Sequence, residues 1–150
     1  NNDFLRSEYL HLQSTIEGFD NRVLTIKAWS ITFSFAAFGV AFANNANSIF
    51  LIASTASLIF WILEASWKTF QDAYYDRIAE IENHFKNGKE TLVTLVPFQI
   101  TKSWYTSFQK GGIKRLLKIM FWYHVYLPHI LISIIGFLLF YLTQFKHLEI

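Results

Sequence analysis

Between Ala28 and Leu63 the chain carries no Asp, Glu, Lys or Arg, and the apolar tract is interrupted only by the run FANNANSIF at 42–50. An uncharged stretch this long exceeds an ordinary core helix, and the asparagines divide it into two arms. Each arm reads as a membrane span, at 25–43 and 48–66, and a third span is expected at 119–145. In the first two spans, sixteen apolar residues rise only about 24 Å against a hydrocarbon core of about 30 Å. Flanking turns or local thinning of the bilayer must supply the difference. Composition agrees with an integral membrane protein: 53% of the 150 residues are hydrophobic and 19% aromatic, with 16 phenylalanines. In water that surface would expose large apolar patches.

Charge sets the orientation. Of the 13 Lys and Arg, all but Lys146 lie in the N-terminal segment up to Lys27 or between the second and third spans; the NNAN turn has none. The positive-inside rule therefore puts the N-terminus in the cytoplasm and the C-terminus outside. Trp29, Trp61, Trp67, Trp122 and Tyr123 agree, falling near the same inner interface. The opening NNDFLRSEYLHLQ is a mixed-charge amphipathic stretch and reads as no cleavable signal, so the first span is expected to act as an uncleaved anchor. Cysteine is absent, which excludes disulfide and thiolate chemistry.

The N-terminal segment has heptad spacing: Leu5, Tyr9, Leu12, Ile16, Phe19, Val23 and Ile26 form a coiled-coil seam. A second stripe follows the second span, at Trp67, Phe70, Tyr74, Ile78, Ile81 and Phe85. Spans joined by a tight turn run antiparallel, so their extensions also lie side by side. The expected fold is all-α: residues 1–87 form one long helical hairpin with two spans and a cytoplasmic stalk, ended by Asn87-Gly88. Counting from a turn centred between Asn45 and Ala46 sets Lys27 opposite Glu64, a candidate ion pair near hydrocarbon. The alternative is that Lys27 snorkels and Glu64 merely ends its span. Residues 88–118 read as an interfacial insert: a short strand in TLVTLV, then a helix opened by Pro97 and lying on the membrane, broken at Gly111-Gly112. Pro128 is expected to kink the last span.

No catalytic constellation is present. HExxH, GxSxG, Gly-rich phosphate loops and Cys/His clusters are missing, and His124 and His129, five apart, sit on different helix faces and read as interfacial or packing residues. Asp72, Asp76, Glu80 and Glu82 read as a solvated helix face. An enzyme is not expected, and no metal or cofactor is implied. The first span is more informative. Ser30, Ser34, Ala37 and Ala41 form one small-residue face, continued by Asn44, and Thr32, Ala36, Gly39 and Ala43 form another roughly opposite. Such faces let helix backbones approach closely, and one is accounted for by Ala53, Ala56 and Ser57 of the second span. The other needs the third span or a second copy; small and hydroxyl residues also suit a hydrated pore, with Asn44 at its mouth. The asparagine turn itself needs no pore. Lys110, Lys114, Arg115 and Lys118 form a basic cluster beside Trp104, Tyr105 and Phe108. It reads as a topology signal touching anionic lipid, or as a site for an anionic ligand such as a nucleotide, with aromatics to stack on bases. No dedicated nucleic-acid motif is present.

The helix FLRSEYLHLQSTIEGFDNRVLTIKAW, the closely spaced span pair and the aromatic SWKTFQDAYYDRIAEIE together resemble the small bacterial membrane proteins of SLATT type. The likeness covers a little over half the chain; the insert and third span depart from that minimal pattern. It implies a pore-forming effector of the bacterial inner membrane, acting in anti-phage defence on a nucleotide-derived signal. The resulting expectation is a homo-oligomeric channel whose stalk receives that signal. The alternative is a non-conducting anchor that recruits a soluble partner protein; lipid binding or modification rests on the basic cluster alone.

Overall fold

The computed structural model describes residues 2–86 and 95–146. Its four helices are α1 (Asn2–Asn44), α2 (Ser48–Lys86), α3 (Ile100–Met120) and α4 (Tyr123–Lys146), with no strand among the described residues. α1, α2 and α4 are long and apolar enough to cross a membrane. α4 leaves Leu131, Ile134, Phe137, Leu138, Tyr141 and Phe145 exposed. That wall would be untenable in water and needs no cover against lipid tails.

α1 stops where an asparagine takes the left-handed conformation. Asn45 has φ 51°, and the N–H of Ala46 donates to the carbonyl of Ala41 at 3.0 Å. This is the six-to-one bond of a Schellman cap, which satisfies a terminal carbonyl and turns the chain within three residues. Asn accepts this geometry because its short amide tolerates positive φ.

α1 and α2 then pack side by side in opposite directions, since the α1 residues near the turn meet α2 residues near it and the distant ends meet each other. Phe38 and Ala41 cluster with Phe50 and Ala53 close to the turn, and Leu5, Leu12 and Ile16 cluster with Ile78 and Ile81 far from it. Most of the α1 heptad seam is buried; Tyr9 and Phe19 are half-buried. The α2 stripe divides between two neighbours instead of forming one seam. Ile78 and Ile81 face α1, whereas the Phe70 ring lies 5.5 Å from that of Phe108 on α3, and Phe85 is exposed. One apolar stripe cannot face two helices on different sides, so polar Gln71 and Arg77 complete the α1 contact, both buried.

The insert is described from Leu95 onward. Residues 91–94 of TLVTLV lie outside the described residues, and Leu95 and Val96 are not in a strand. α3 begins at Ile100 and packs along α2, because Trp104 and Phe108, stacked on each other at 5.0 Å, bury their aromatic surface against Phe70. The chain bends inside α3 at Gly112, whose φ of 48° and ψ of −149° are closed to residues with a Cβ. A turn at Phe121 and Trp122 leads into α4, and the Trp61 indole donates to the otherwise orphaned carbonyl of Met120 at 2.9 Å.

α4 lies against α2 and α1. Gly136 makes this possible: a Cβ there would overlap Ser54 Oγ and come within 3.1 Å of the Phe38 ring. Ser133 donates to the Ser54 carbonyl at 3.1 Å, and Ala65, Ile119 and Val125 close the other end of the seam.

Candidate functional site, a buried charged junction between three helices

Close docking of α4 brings one histidine onto Glu64, which with Lys27 bounds the apolar tract and is already paired with it. Glu64 on α2 and His129 on α4 are both fully buried. His129 Nε2 lies 3.0 Å from Glu64 Oε2. Lys27 Nζ on α1 lies 2.9 Å from Glu64 Oε1, off the line of a hydrogen bond, so that oxygen has an ionic partner and no hydrogen-bond donor. Two serines complete the junction. Ser30 Oγ lies 3.0 Å from His129 Nδ1 and 3.5 Å from Ser57 Oγ, and the Ser57 hydroxyl donates to the His129 carbonyl at 3.0 Å. One turn along α1, Ser34 Oγ is buried without a hydrogen-bond partner among the described residues.

Three ionisable groups gathered between helices long and apolar enough to cross a membrane are expensive. A well-packed apolar set of similar volume would serve stability as well or better. Buried charge of this kind is therefore a candidate functional site. Chemically, the junction ties α4 to the α1–α2 pair by directional bonds. Among the described residues, no three His, Cys, Asp or Glu converge on a metal-sized site.

A second polar group lies at the far end of α1 and α2. Arg77 Nε donates to Glu8 Oε1 at 2.8 Å, and the backbone N–H of Phe98 donates to Glu8 Oε2 at 2.7 Å. Arg77 also donates to Glu80 at 2.9 Å and to the Val96 carbonyl at 2.8 Å. Burial alone would push the guanidinium down, but the hydrogen bonds and charges of Glu8 and Glu80 more than reverse this and hold it above its usual value. Phe98 has φ 63°, costly for a bulky residue, and the charge-assisted bond to Glu8 offsets that strain. Between the two groups, Lys68 on α2 binds Asp20 on α1 at 2.6 Å. Desolvation raises the Asp20 carboxyl, but hydrogen bonds from Lys68 and Gln71 and the charges of Lys68 and Lys27 outweigh it, holding the group below its usual value.

The residues singled out from sequence fall in different places. Ser30, Ser34 and Ala41 are buried inside the protomer and Ala37 is half-buried, so this face packs on α2 and α4. Asn44 is exposed, its amide donating to the Val40 carbonyl at 3.0 Å. Thr32, Ala36, Gly39 and Ala43 are all exposed. The basic cluster does not stay together. Lys110, Lys114 and Lys118 are exposed, whereas Arg115 turns to the acidic face of α2, 3.3 Å from Asp72 and 3.8 Å from Asp76. That face is accordingly not simply solvated, since Asp76 also accepts from Ser107. Trp104 and Phe108 are occupied against Phe70 and Tyr74, which leaves Tyr105 as the exposed aromatic of the three. From the sequence, His129 reads as an interfacial or packing residue, and Glu8 and Arg77 are given no site role. The available signal for His129 was an ionisable residue within a span; Glu8 and Arg77 gave none, since each looks like an ordinary stalk charge.

Comparison with protein-family models, with curated proteins and with solved structures finds no match.

Proposed function

We propose that this chain is a homo-oligomeric membrane effector, an ion channel or pore gated by a signal received at its cytoplasmic end. On this reading α1, α2 and α4 cross a bacterial inner membrane. The distal halves of α1 and α2 form a coiled-coil hairpin stalk in the cytoplasm, and the C-terminus lies outside. The supporting observation is that α1 and α2 run unbroken through the Lys27–Glu64–His129 junction. They have 43 and 39 residues, which span about 65 and 58 Å, roughly twice a hydrocarbon core of about 30 Å. Displacement of the stalk therefore moves the same rigid helices that hold the buried charges. Gating is a shift between closed and open bundles, biased by a ligand that prefers the open one. A nucleotide-type signal and a role in anti-phage defence are carried by the resemblance to SLATT-type effectors.

Copies meet across Thr32, Ala36, Gly39 and Ala43, where small side chains let backbones approach. Within the protomer a Cβ at Gly39 would meet nothing within 4 Å, so Gly39→Leu perturbs assembly without touching the fold. Mass photometry and crosslinking in mild detergent are expected to give an oligomer for the wild type and single protomers for Gly39→Leu. Conductance in planar bilayers is lost with the oligomer. A monomeric wild type sinks the proposal.

A second reading, a non-conducting anchor for a soluble partner, is favoured by one observation. A groove of about 470 Å³ at the tip of α1 and α2 is floored by Tyr9, Ile81 and Phe85 and rimmed by Asp3, Arg6 and Glu82. On that reading the purified protein stays electrically silent, and Phe85→Asp abolishes partner capture.

A further inference from the structure

Lys27 and His129 reach the same carboxylate from different helices and on different oxygens, 2.9 Å from Oε1 and 3.0 Å from Oε2. They are not equally committed to it: the His129 side chain is 0% exposed, whereas that of Lys27 retains 21%. In the neutral imidazole Nε2–H donates to Glu64, which can only accept, and this leaves Nδ1 to accept from the Ser30 hydroxyl.

Addition of a proton at Nδ1 leaves no group stranded. Nδ1–H donates to Ser30 Oγ, and the Ser30 hydroxyl turns to donate to Ser57 Oγ, whose own proton is already used on the His129 carbonyl. One hydroxyl rotation converts one fully bonded arrangement into the other. The charge does change. A Lys27 cation with a Glu64 anion sums to zero beside a neutral imidazole and to one positive charge beside an imidazolium. In a low-dielectric interior that surplus is costly, and one cation must leave. Lys27 is the one with solvent access and a flexible stem that can withdraw to the interface.

We propose that Lys27, Glu64, His129 and Ser30 form a proton-binding site, in which proton uptake by His129 displaces Lys27 from Glu64. The proton comes from bulk water at the Lys27 end and returns by the same route. Past Ser34 the interior is closed by the buried packing of Phe38, Phe50 and Ile132. Release of Lys27 loosens α1 from α2 at the level where their extensions leave the span, while the imidazolium holds α4 to α2 more tightly. On α2, Lys68 is paired with Asp20 of α1, a carboxylate that also feels the charge of Lys27 and can receive it on release; His124 on α4 feels the charges of Lys27, Lys68 and Glu64. On α3, Arg115 is occupied by Asp72 and Asp76, about two and three turns beyond Glu64 along α2. The site operates within one protomer and does not depend on assembly or conductance.

The test is nitrogen-15 NMR of the full chain in lipid nanodiscs, titrated from about pH 8 to about pH 5, where imidazoles ordinarily change charge. His129 is assigned with His129→Gln and Lys27 with Lys27→Arg. The expected result is a bare Nδ1 and a protonated Nε2 at the alkaline end, both protonated at the acid end, and a Lys27 Nζ signal that moves with the same midpoint. Lys27→Met is expected to raise the His129 midpoint by about one pH unit or more, because a neighbouring like charge is gone. A His129 that keeps one neutral tautomer throughout, a Lys27 signal that does not follow it, or an unmoved midpoint in Lys27→Met overturns the proposal. Should Lys27→Met fail to fold, the two wild-type signals decide it alone. Failure here leaves the channel proposal standing, and a monomeric wild type leaves this one standing.

Discussion

Glu8→Gln strikes the contact that joins α1, α2 and the 95–99 segment. Glu8 uses both oxygens, accepting from Arg77 Nε at 2.8 Å and from the Phe98 N–H at 2.7 Å, with its side chain 0% exposed. Glutamine has the same shape but only one acceptor, so one of those donors must face an amide NH2. Removing one partner of a buried ion pair costs about 3–5 kcal/mol, chiefly because the other charge is left uncompensated. Arg77 keeps Glu80 and the Val96 carbonyl, which places the expected loss at the lower end, about 3 kcal/mol. Unfolding in mild detergent, followed by circular dichroism, measures the loss. Hydrogen exchange at Phe98 locates it, since that amide opens more often whichever of the two donors loses its acceptor. Adding Arg77→Met to Glu8→Gln is expected to recover about 1 kcal/mol, because the stranded guanidinium is removed with its partner gone. A Glu8→Gln loss below about 1 kcal/mol, with Phe98 exchange unchanged, would refute the view that this pair holds the three segments together.

Gly136→Ala forces the Ser54 hydroxyl off the Phe50 carbonyl or shifts α4, and thermal unfolding should show a loss of about 1–3 kcal/mol; Gly39→Ala, with open space around it, should show none. Asp20 is held below the ordinary carboxylate value in the folded protein, so its contribution is present above the ordinary value and lost as pH falls through the lower folded one. Acid unfolding curves of wild type and Asp20→Asn should therefore differ at neutral pH and converge at the acid end; a constant offset contradicts the assignment. Trp61→Phe removes the donor to the Met120 carbonyl, and should cost about 1 kcal/mol with faster exchange confined to the α3–α4 joint.

Much of the helical frame is legible in the residues themselves. A charge-free tract with polar residues only at its centre admits two membrane-length helices and a turn, because lipid tolerates neither loose backbone nor unpaired charge. Asn45 supplies the positive φ that ends α1. Counting outward from that turn sets Lys27 against Glu64, since both arms rise by the same amount per residue. The heptad seam of α1 likewise marks its buried face before any partner is known. Periodicity does not say which neighbour covers a face. The α2 stripe looks like one seam and serves two, with Phe70 on α3 and Ile78 on α1. Arg115 looks like part of a basic cluster until α3 lies beside Asp72. His129 reads as a packing residue because its partners are 65 and 99 positions away. Short-range geometry is set by bonds and helical rise, and the sequence determines it. Which of the distant faces meet depends on how closely α4 can approach, a matter of one missing side chain at Gly136 and the shape of the groove opposite, and only the tertiary structure decides that.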